Sequence, residues 1–69
     1  MENINQLLEH HKAQITAAQL ETYHKLDELL GTRSITYYTI NQCLYLTAEN
    51  TGNIFVIYPD GESRLEREG

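Results

Sequence analysis

The spacing of apolar residues changes near Gly31, and this change divides the chain into a helical part and a strand-forming part. From Met1 to about Leu30, apolar residues recur at helical spacing with charged residues between them. Gly31 then provides a C-cap, because glycine tolerates the backbone conformation in which helices commonly end. After Thr32-Arg33 the period is two, which is typical of strands. The apolar positions of the helical part are Ile4, Leu7, Leu8, Ile15, Leu20, Tyr23, Leu26, Leu29 and Leu30.

The helical part contains two signals for the start of a helix. Asn3 with Gln6 forms one candidate capping box, and Thr16 with Gln19 forms a second one further along. An unbroken helix over this whole part would be about 40 Å long, whereas a strand of five or six residues spans about 17–20 Å. The sequence therefore predicts either a break near Gln14–Thr16 or a helix whose overhang packs on a second chain, and it favours the break.

The strand-forming part predicts four strands in an antiparallel meander. Ile54–Tyr58 is the longest unbroken apolar run, so we expect an inner strand that is buried on both faces. Pro59-Asp60-Gly61 after it is typical of a type I turn closed by a glycine bulge. The last strand is rich in charges, which suit an edge. The other expected strands are Ser34–Ile40, Cys43–Glu49 and Glu62–Glu68, with a tight turn at Asn41-Gln42.

Turn lengths predict which side chains share a face of the sheet, because side chains alternate along a strand. A two-residue first turn and three-residue bulged turns elsewhere give the pairs Ile40–Cys43, Glu49–Asn53 and Tyr58–Glu62. One face is then aliphatic and is expected to lie under the helix: Ile35, Tyr37, Leu44, Leu46, Ala48, Ile54 and Val56. The other face is aromatic and lacks an element to cover it: Tyr38, Ile40, Cys43, Tyr45, Phe55, Ile57 and Leu65.

This uncovered aromatic face is the strongest functional signal in the sequence. Tyrosine combines a large contact area with a hydroxyl that tolerates water, and it is enriched at protein interfaces. A large apolar patch on a monomer usually marks a contact site. We therefore expect protein binding through Tyr38, Tyr45, Phe55 and Ile57. The alternatives are that a second helical segment buries this face, or that the register differs.

Other residue sets give weaker indications of chemistry. Glu21, His24 and Glu28 share a helical stripe and could meet one cation, but zinc sites usually add a further strong ligand, so a solvated charged face is favoured. Cys43 lies among strand hydrophobes without the base or cation that activates a thiol. The chain has no serine-nucleophile motif, phosphate-binding glycine loop or paired-cysteine motif. We expect no enzymatic activity, no catalytic residue, no metal and no cofactor.

Composition narrows the location and the class of partner. With 69 residues, the chain is expected to form a single compact domain over 1–69, near the lower size limit for a self-sufficient core. A net charge of −5 disfavours direct nucleic-acid binding and allows a basic partner. One cysteine favours a reducing compartment, most simply the cytoplasm. The sequence shows neither an apolar run of transmembrane length nor a signal-peptide pattern, so no membrane partner is expected.

The predicted fold is α+β: an N-terminal helix, continuous or broken near Gln14–Thr16, packed on a four-stranded antiparallel β-meander. The expected function is protein–protein binding by a small acidic module that acts as a stoichiometric inhibitor or adaptor. In size and charge the chain resembles small phage and mobile-element proteins that block host machinery, anti-CRISPR proteins among them, without a shared motif. The alternatives are a self-assembling homodimer with no other activity and, more remotely, metal or ligand binding on the helix.

Overall fold

The computed structural model describes residues 3–69, which form two helices followed by a sheet of four antiparallel strands. The strands pair in the order β1-β2-β3-β4, which confirms the predicted α+β fold and its meander. The predicted helical positions Met1 and Glu2 lie outside the described residues. The elements are α1 (Ile4–His11), α2 (Ala17–Leu30), β1 (Thr32–Tyr38), β2 (Cys43–Ala48), β3 (Ile54–Ile57) and β4 (Ser63–Arg67).

The helical part is broken between α1 and α2, as the second start signal predicts. The hydroxyl of Thr16 accepts a 3.0 Å hydrogen bond from the backbone amide of Gln19, and the side-chain oxygen of Gln19 accepts one from the amide of Thr16. This reciprocal box satisfies two of the amides that a helix start leaves without partners. Asn3 and Gln6 form the same box at α1. Gly31, with φ of 73°, caps the end of α2 as expected.

Both helices pack on the same face of the sheet. α1 contacts β1, whereas α2 contacts β2 and β3. The alternative in which the second helical segment covers the opposite face is therefore wrong. Neither helix in the described residues is long and apolar enough to cross a membrane. The buried core cluster consists of Leu7, Ile15, Tyr23, Ile35, Tyr37, Leu44, Leu46 and Ile57.

The turn between β1 and β2 is longer than predicted, but the faces of β1 are as expected. Thr39–Gln42 form a four-residue turn, so Tyr38 rather than Ile40 lies opposite Cys43. The difference from the predicted register is two positions, and an even shift keeps each side chain on its face. Ile40 is 99% exposed at the turn and takes no part in the sheet.

The turn between β2 and β3 is one residue longer than predicted, and this exchanges the two faces of β3. The amide of Ala48 donates a 2.8 Å hydrogen bond to the carbonyl of Asn53, so Ala48 rather than Glu49 lies opposite Asn53. The turn needs four residues because the amide of Gly52 bonds back to the carbonyl of Ala48 at 3.0 Å, with φ of 75° at the glycine. A shift of one residue moves every side chain of β3 to the other face.

Phe55 and Ile57 consequently lie on the helix side of the sheet, and their predicted place on the aromatic face is wrong. Ile57 is fully buried in the core cluster, and Phe55 packs against that cluster. Leu65 lies opposite Phe55 and therefore also belongs to the helix side. Ile54 and Val56 face away from the helices instead, so Val56 does not lie beneath them.

The turn between β3 and β4 agrees with the predicted one. The amide of Tyr58 donates to the carbonyl of Glu62 at 2.8 Å, which places the two residues opposite each other. The amide of Gly61 bonds to the carbonyl of Tyr58, and the φ of 92° at Gly61 explains why a glycine stands there. β4 follows as an exposed edge strand.

Candidate protein-binding face

We call the face of the sheet opposite the helices the open face. Within residues 3–69, neither α1 nor α2 covers it. Its side chains come from alternate positions of all four strands, as the observed register requires. They are Ser34, Thr36 and Tyr38 of β1, Cys43, Tyr45 and Thr47 of β2, Ile54 and Val56 of β3 with Tyr58 just after it, and Arg64, Glu66 and Arg67 of β4, where Arg67 lies opposite Ile54 after an irregularity of the register.

Tyr38 and Tyr45 form a ring pair on the open face. Their ring centroids are 4.7 Å apart with an angle of 39° between the planes. Tyr45 lies opposite Thr36, so Tyr38 is its diagonal neighbour, a position within reach of aromatic side chains. The side-chain amide of Asn41 donates a 3.0 Å hydrogen bond to the hydroxyl of Tyr45. The ring contact and this hydrogen bond together restrict the rotamers of the two side chains on the open face.

Aliphatic and basic side chains extend the open face beside the tyrosine pair. Val56 lies between Tyr45 and Arg64 in the register and is only 2% exposed, so it forms the floor of the face. The guanidinium carbon of Arg64 lies 5.9 Å from the ring centroid of Tyr58, within the distance of a cation–π contact. The face is therefore apolar across β2 and β3 and charged along β4.

A shallow depression of about 350 Å³ lies on the open face. A depression this open suits a protruding side chain of a protein better than a small molecule, which is usually enclosed on most sides. Both signs of charge stand on its β4 side. The lining residues are Thr36, Tyr38, Tyr45, Thr47, Ile54, Glu66 and Arg67.

Cys43 belongs to the open face but is only 2% exposed. Its sulfur donates a long 3.4 Å hydrogen bond to the carbonyl of Asn41. Burial raises the pKa of the Cys43 thiol, and the negative charge of Glu66 raises it further. A nucleophilic cysteine needs the opposite, a lowered pKa that populates the thiolate. The surroundings of Cys43 therefore favour a structural role, as a small buried apolar side chain, over a nucleophilic one.

The helical stripe of Glu21, His24 and Glu28 does not form a metal cluster. The carboxylate of Glu21 lies 3.7 Å from the ammonium group of Lys25, in an exposed pair one helical turn apart. Nowhere in the described part of the chain do three His, Cys, Asp or Glu residues lie close enough to hold a metal ion. His11 instead packs against the sheet, with its ring centroid 4.8 Å from that of Tyr37.

Of the four side chains predicted to bind a partner, the structure brings Tyr38 and Tyr45 together and places Phe55 and Ile57 on the helix side. Three further residues of the open face were missed: Ile54, Val56 and Tyr58. The signal that could have found them is the turn length, because a four-residue turn ending at Gly52 puts all three beside the tyrosine pair.

Comparison of the chain with protein-family models, with curated proteins and with solved structures finds no match.

Proposed function

We propose that this protein binds another protein through the open face, and that it acts as a stoichiometric inhibitor or adaptor. The observation that carries this proposal is the Tyr38–Tyr45 pair, which stands beside Ile54 on a face that neither helix of residues 3–69 covers, with the buried Val56 beneath. Tyr38 is 52% exposed, and exposed apolar surface of this kind on a small protein commonly marks a contact with a partner. Aromatic residues at the centre of such a patch commonly provide most of the binding energy.

The charge distribution favours a basic target with an apolar protrusion. The chain carries ten acidic residues against five basic ones, and the resulting long-range field attracts a positively charged partner. On the open face itself, Arg67 and Glu66 stand together beside the depression and offer ion pairs of either sign at its rim. The depression would receive an apolar side chain of the target. The single cysteine agrees with a cytoplasmic target.

The test is capture of a target by the purified protein from a native lysate, with mass spectrometry to identify it and titration to measure affinity. Tyr45→Ala should lower the affinity by about 30-fold or more, the equivalent of about 2 kcal/mol for one central aromatic residue. Leu29→Ala is the matched control, because Leu29 is an apolar residue of α2 that is 79% exposed and lies on the helical side. Circular dichroism should be native for both variants.

Two outcomes would contradict the proposal. A folded Tyr45→Ala variant that binds the target at full strength would exclude the open face. Loss of binding in Leu29→Ala alone would move the site to the helical side of the protein. Ala13, between the helices, and Ala17, Glu21 and His24 of α2 would then be the next surface to test.

Self-association is the second candidate function, and a separate observation favours it. β1 is an edge strand of seven residues with a single charged side chain, so its free edge is open to another strand. A protein whose only activity is assembly would use this edge and would need no target on the open face.

A further inference from the structure

The two edges of the sheet differ in how they are protected. β4 presents Arg64, Glu66 and Arg67, all exposed, and such charges discourage pairing with another sheet. β1 has only Arg33, whose guanidinium donates a 2.9 Å hydrogen bond to the carbonyl of Glu49. This bond draws the one charge of β1 toward the turn that follows β2. The edge of β1 therefore lacks the charges that protect β4.

The register of the sheet identifies the main-chain groups at the free edge of β1. Residues of an antiparallel strand bond alternately to the neighbours on either side. Ala48 bonds across to the β3 side, so Tyr45, three positions away, bonds to its β1 partner Thr36. The N–H and C=O groups of Thr36 are thus used inside the sheet. Those of Ile35 and Tyr37, on either side of Thr36, point outward from the edge.

We propose that β1 pairs antiparallel with β1 of a second copy of this chain, about a two-fold axis that is perpendicular to the sheet and passes midway between the two copies of Thr36. In this register Ile35 of each copy faces Tyr37 of the other, and their outward N–H and C=O groups bond to each other. The register of β1 is irregular between Thr32 and Ser34. In the regular part of the strand, Ile35 and Tyr37 are the residues whose main-chain groups point outward, so the axis lies at the position between them.

The side chains of β1 fit this self-pairing. On the open face, Thr36 meets its own equivalent and Ser34 lies opposite Tyr38, and hydroxyl pairs of this kind stabilise neighbouring strands. In this register, Arg33 of one copy is six strand positions away from Arg33 of the other. At roughly 3.4 Å per residue, the two are about 20 Å apart. The like charges of β1 itself therefore do not meet across the axis. A two-fold contact needs a strand that complements itself, and β1 meets this condition.

Pairing in this way joins the two open faces into one surface. Two sheets of four strands become one sheet of eight, with the helices of both copies on the same side. The Tyr38–Tyr45 pairs of the two copies then lie on one continuous face. The pairing also gives a small domain additional buried contacts, which domains of this size commonly need. It rests on the second candidate function, self-association through the edge of β1, and it does not depend on a target at the open face.

Sedimentation equilibrium over a concentration series tests the pairing. The mass of the wild-type chain should rise from 8.0 kDa toward twice that value. Thr36→Lys places two ammonium groups opposite each other at the axis, and the dissociation constant should rise by up to about fivefold. Thr36→Asp should act in the same way, and an equimolar mixture of the two variants should associate again. Thr47→Lys is the matched control, because Thr47 is a threonine on the same face one strand further in.

Hydrogen exchange of single amides provides a second readout. At concentrations where nine-tenths of the chain is dimeric, the amides of Ile35 and Tyr37 should exchange about tenfold more slowly than in dilute solution. The amides of Thr36 and Tyr38 should be protected at both concentrations, because they bond inside the sheet.

Four outcomes would overturn the proposal. In sedimentation, they are a wild-type mass that equals one chain at every concentration, an equal weakening of association by Thr47→Lys and Thr36→Lys, and a mixture of Thr36→Lys with Thr36→Asp that remains monomeric. In hydrogen exchange, the outcome is association without new protection of the amides of Ile35 and Tyr37. An equal weakening by Thr47→Lys would place the contact on the open face.

Discussion

The side-chain amide of Gln19 donates a 3.1 Å hydrogen bond to the main-chain oxygen of Ile57, and so connects the first turn of α2 to the central part of the sheet. The same amide donates a 2.7 Å bond to the carbonyl of Gln42, and its oxygen accepts from the amide of Thr16. Gln19 is fully buried with these three bonds made. One polar residue therefore both closes the capping box of α2 and fixes the helix against two strand ends.

Replacing Gln19 should have a large effect on stability. Gln19→Leu leaves the carbonyls of Ile57 and Gln42 and the amide of Thr16 without this partner. The bond to Ile57 is buried and the other two are partly buried, and a buried group that loses its partner costs about 1–3 kcal/mol. Gln6→Leu is the matched control, because Gln6 has the same place in the exposed capping box of α1. Urea denaturation should show a clearly larger loss of unfolding free energy for Gln19→Leu. Equal losses would mean that the bonds to the strands contribute nothing.

Thr16→Ala should destabilise the protein by about 0.5–2 kcal/mol, because the hydroxyl caps α2. The same hydroxyl also donates a 2.6 Å hydrogen bond to the carbonyl of Pro59, which adds to the loss. Thr16→Ser keeps a hydroxyl and should remain close to wild type in thermal denaturation. If Thr16→Ala raised the melting temperature instead, alanine would be acting as a better residue within a continuous helix, and the break between α1 and α2 would be absent.

The reversed face of β3 predicts that Phe55 and Tyr45 differ in their effect on stability. Phe55→Ala removes a ring that packs on the core cluster and should cost about 2–4 kcal/mol, since the ring is half-buried. Tyr45→Ala removes a ring from the open face and should cost less. Chemical denaturation of both variants measures the difference. A greater loss from Tyr45→Ala would favour the register in which Phe55 faces away from the helices.

Cys43 should make the stability decrease at alkaline pH. Burial raises the pKa of its thiol in the folded protein above the ordinary value of 9.0, and Glu66 raises it further. The unfolded thiol then ionises first as the pH rises, so the stability that Cys43 contributes is fully present below the unfolded pKa and is lost as the pH rises through the folded pKa.

Unfolding free energies measured from about pH 7 to pH 10 in wild type and Cys43→Ala test this sign across the ordinary pKa of a thiol. The unfolding free energy of wild type should fall more steeply with pH in the alkaline part of the range, because only wild type has the thiol. All other groups titrate in both proteins, so their effects cancel in the difference. Parallel curves would show that the thiol has the same pKa in the folded and unfolded chain.

Local sequence signals were sufficient to predict the helices, the strands and the helix caps. Thr16 with Gln19 and Asn3 with Gln6 are local signals, since a capping side chain bonds to an amide three residues away. The turn at Pro59-Asp60-Gly61 is local for the same reason. Such signals involve only residues near in sequence, so they can be recognised without knowing what packs against them.

The face of β3 that meets the helices depends on long-range packing and could not be predicted from local signals. A turn of three or four residues before Asn53 differs little in local energy, yet the one-residue shift decides whether Phe55 and Ile57 or Ile54 and Val56 enter the core. β3 is apolar at every position, so its pattern does not favour either choice. The bonds of Gln19 to Gln42 and Ile57 join residues 23 and 38 positions apart, and no local pattern encodes contacts of that range.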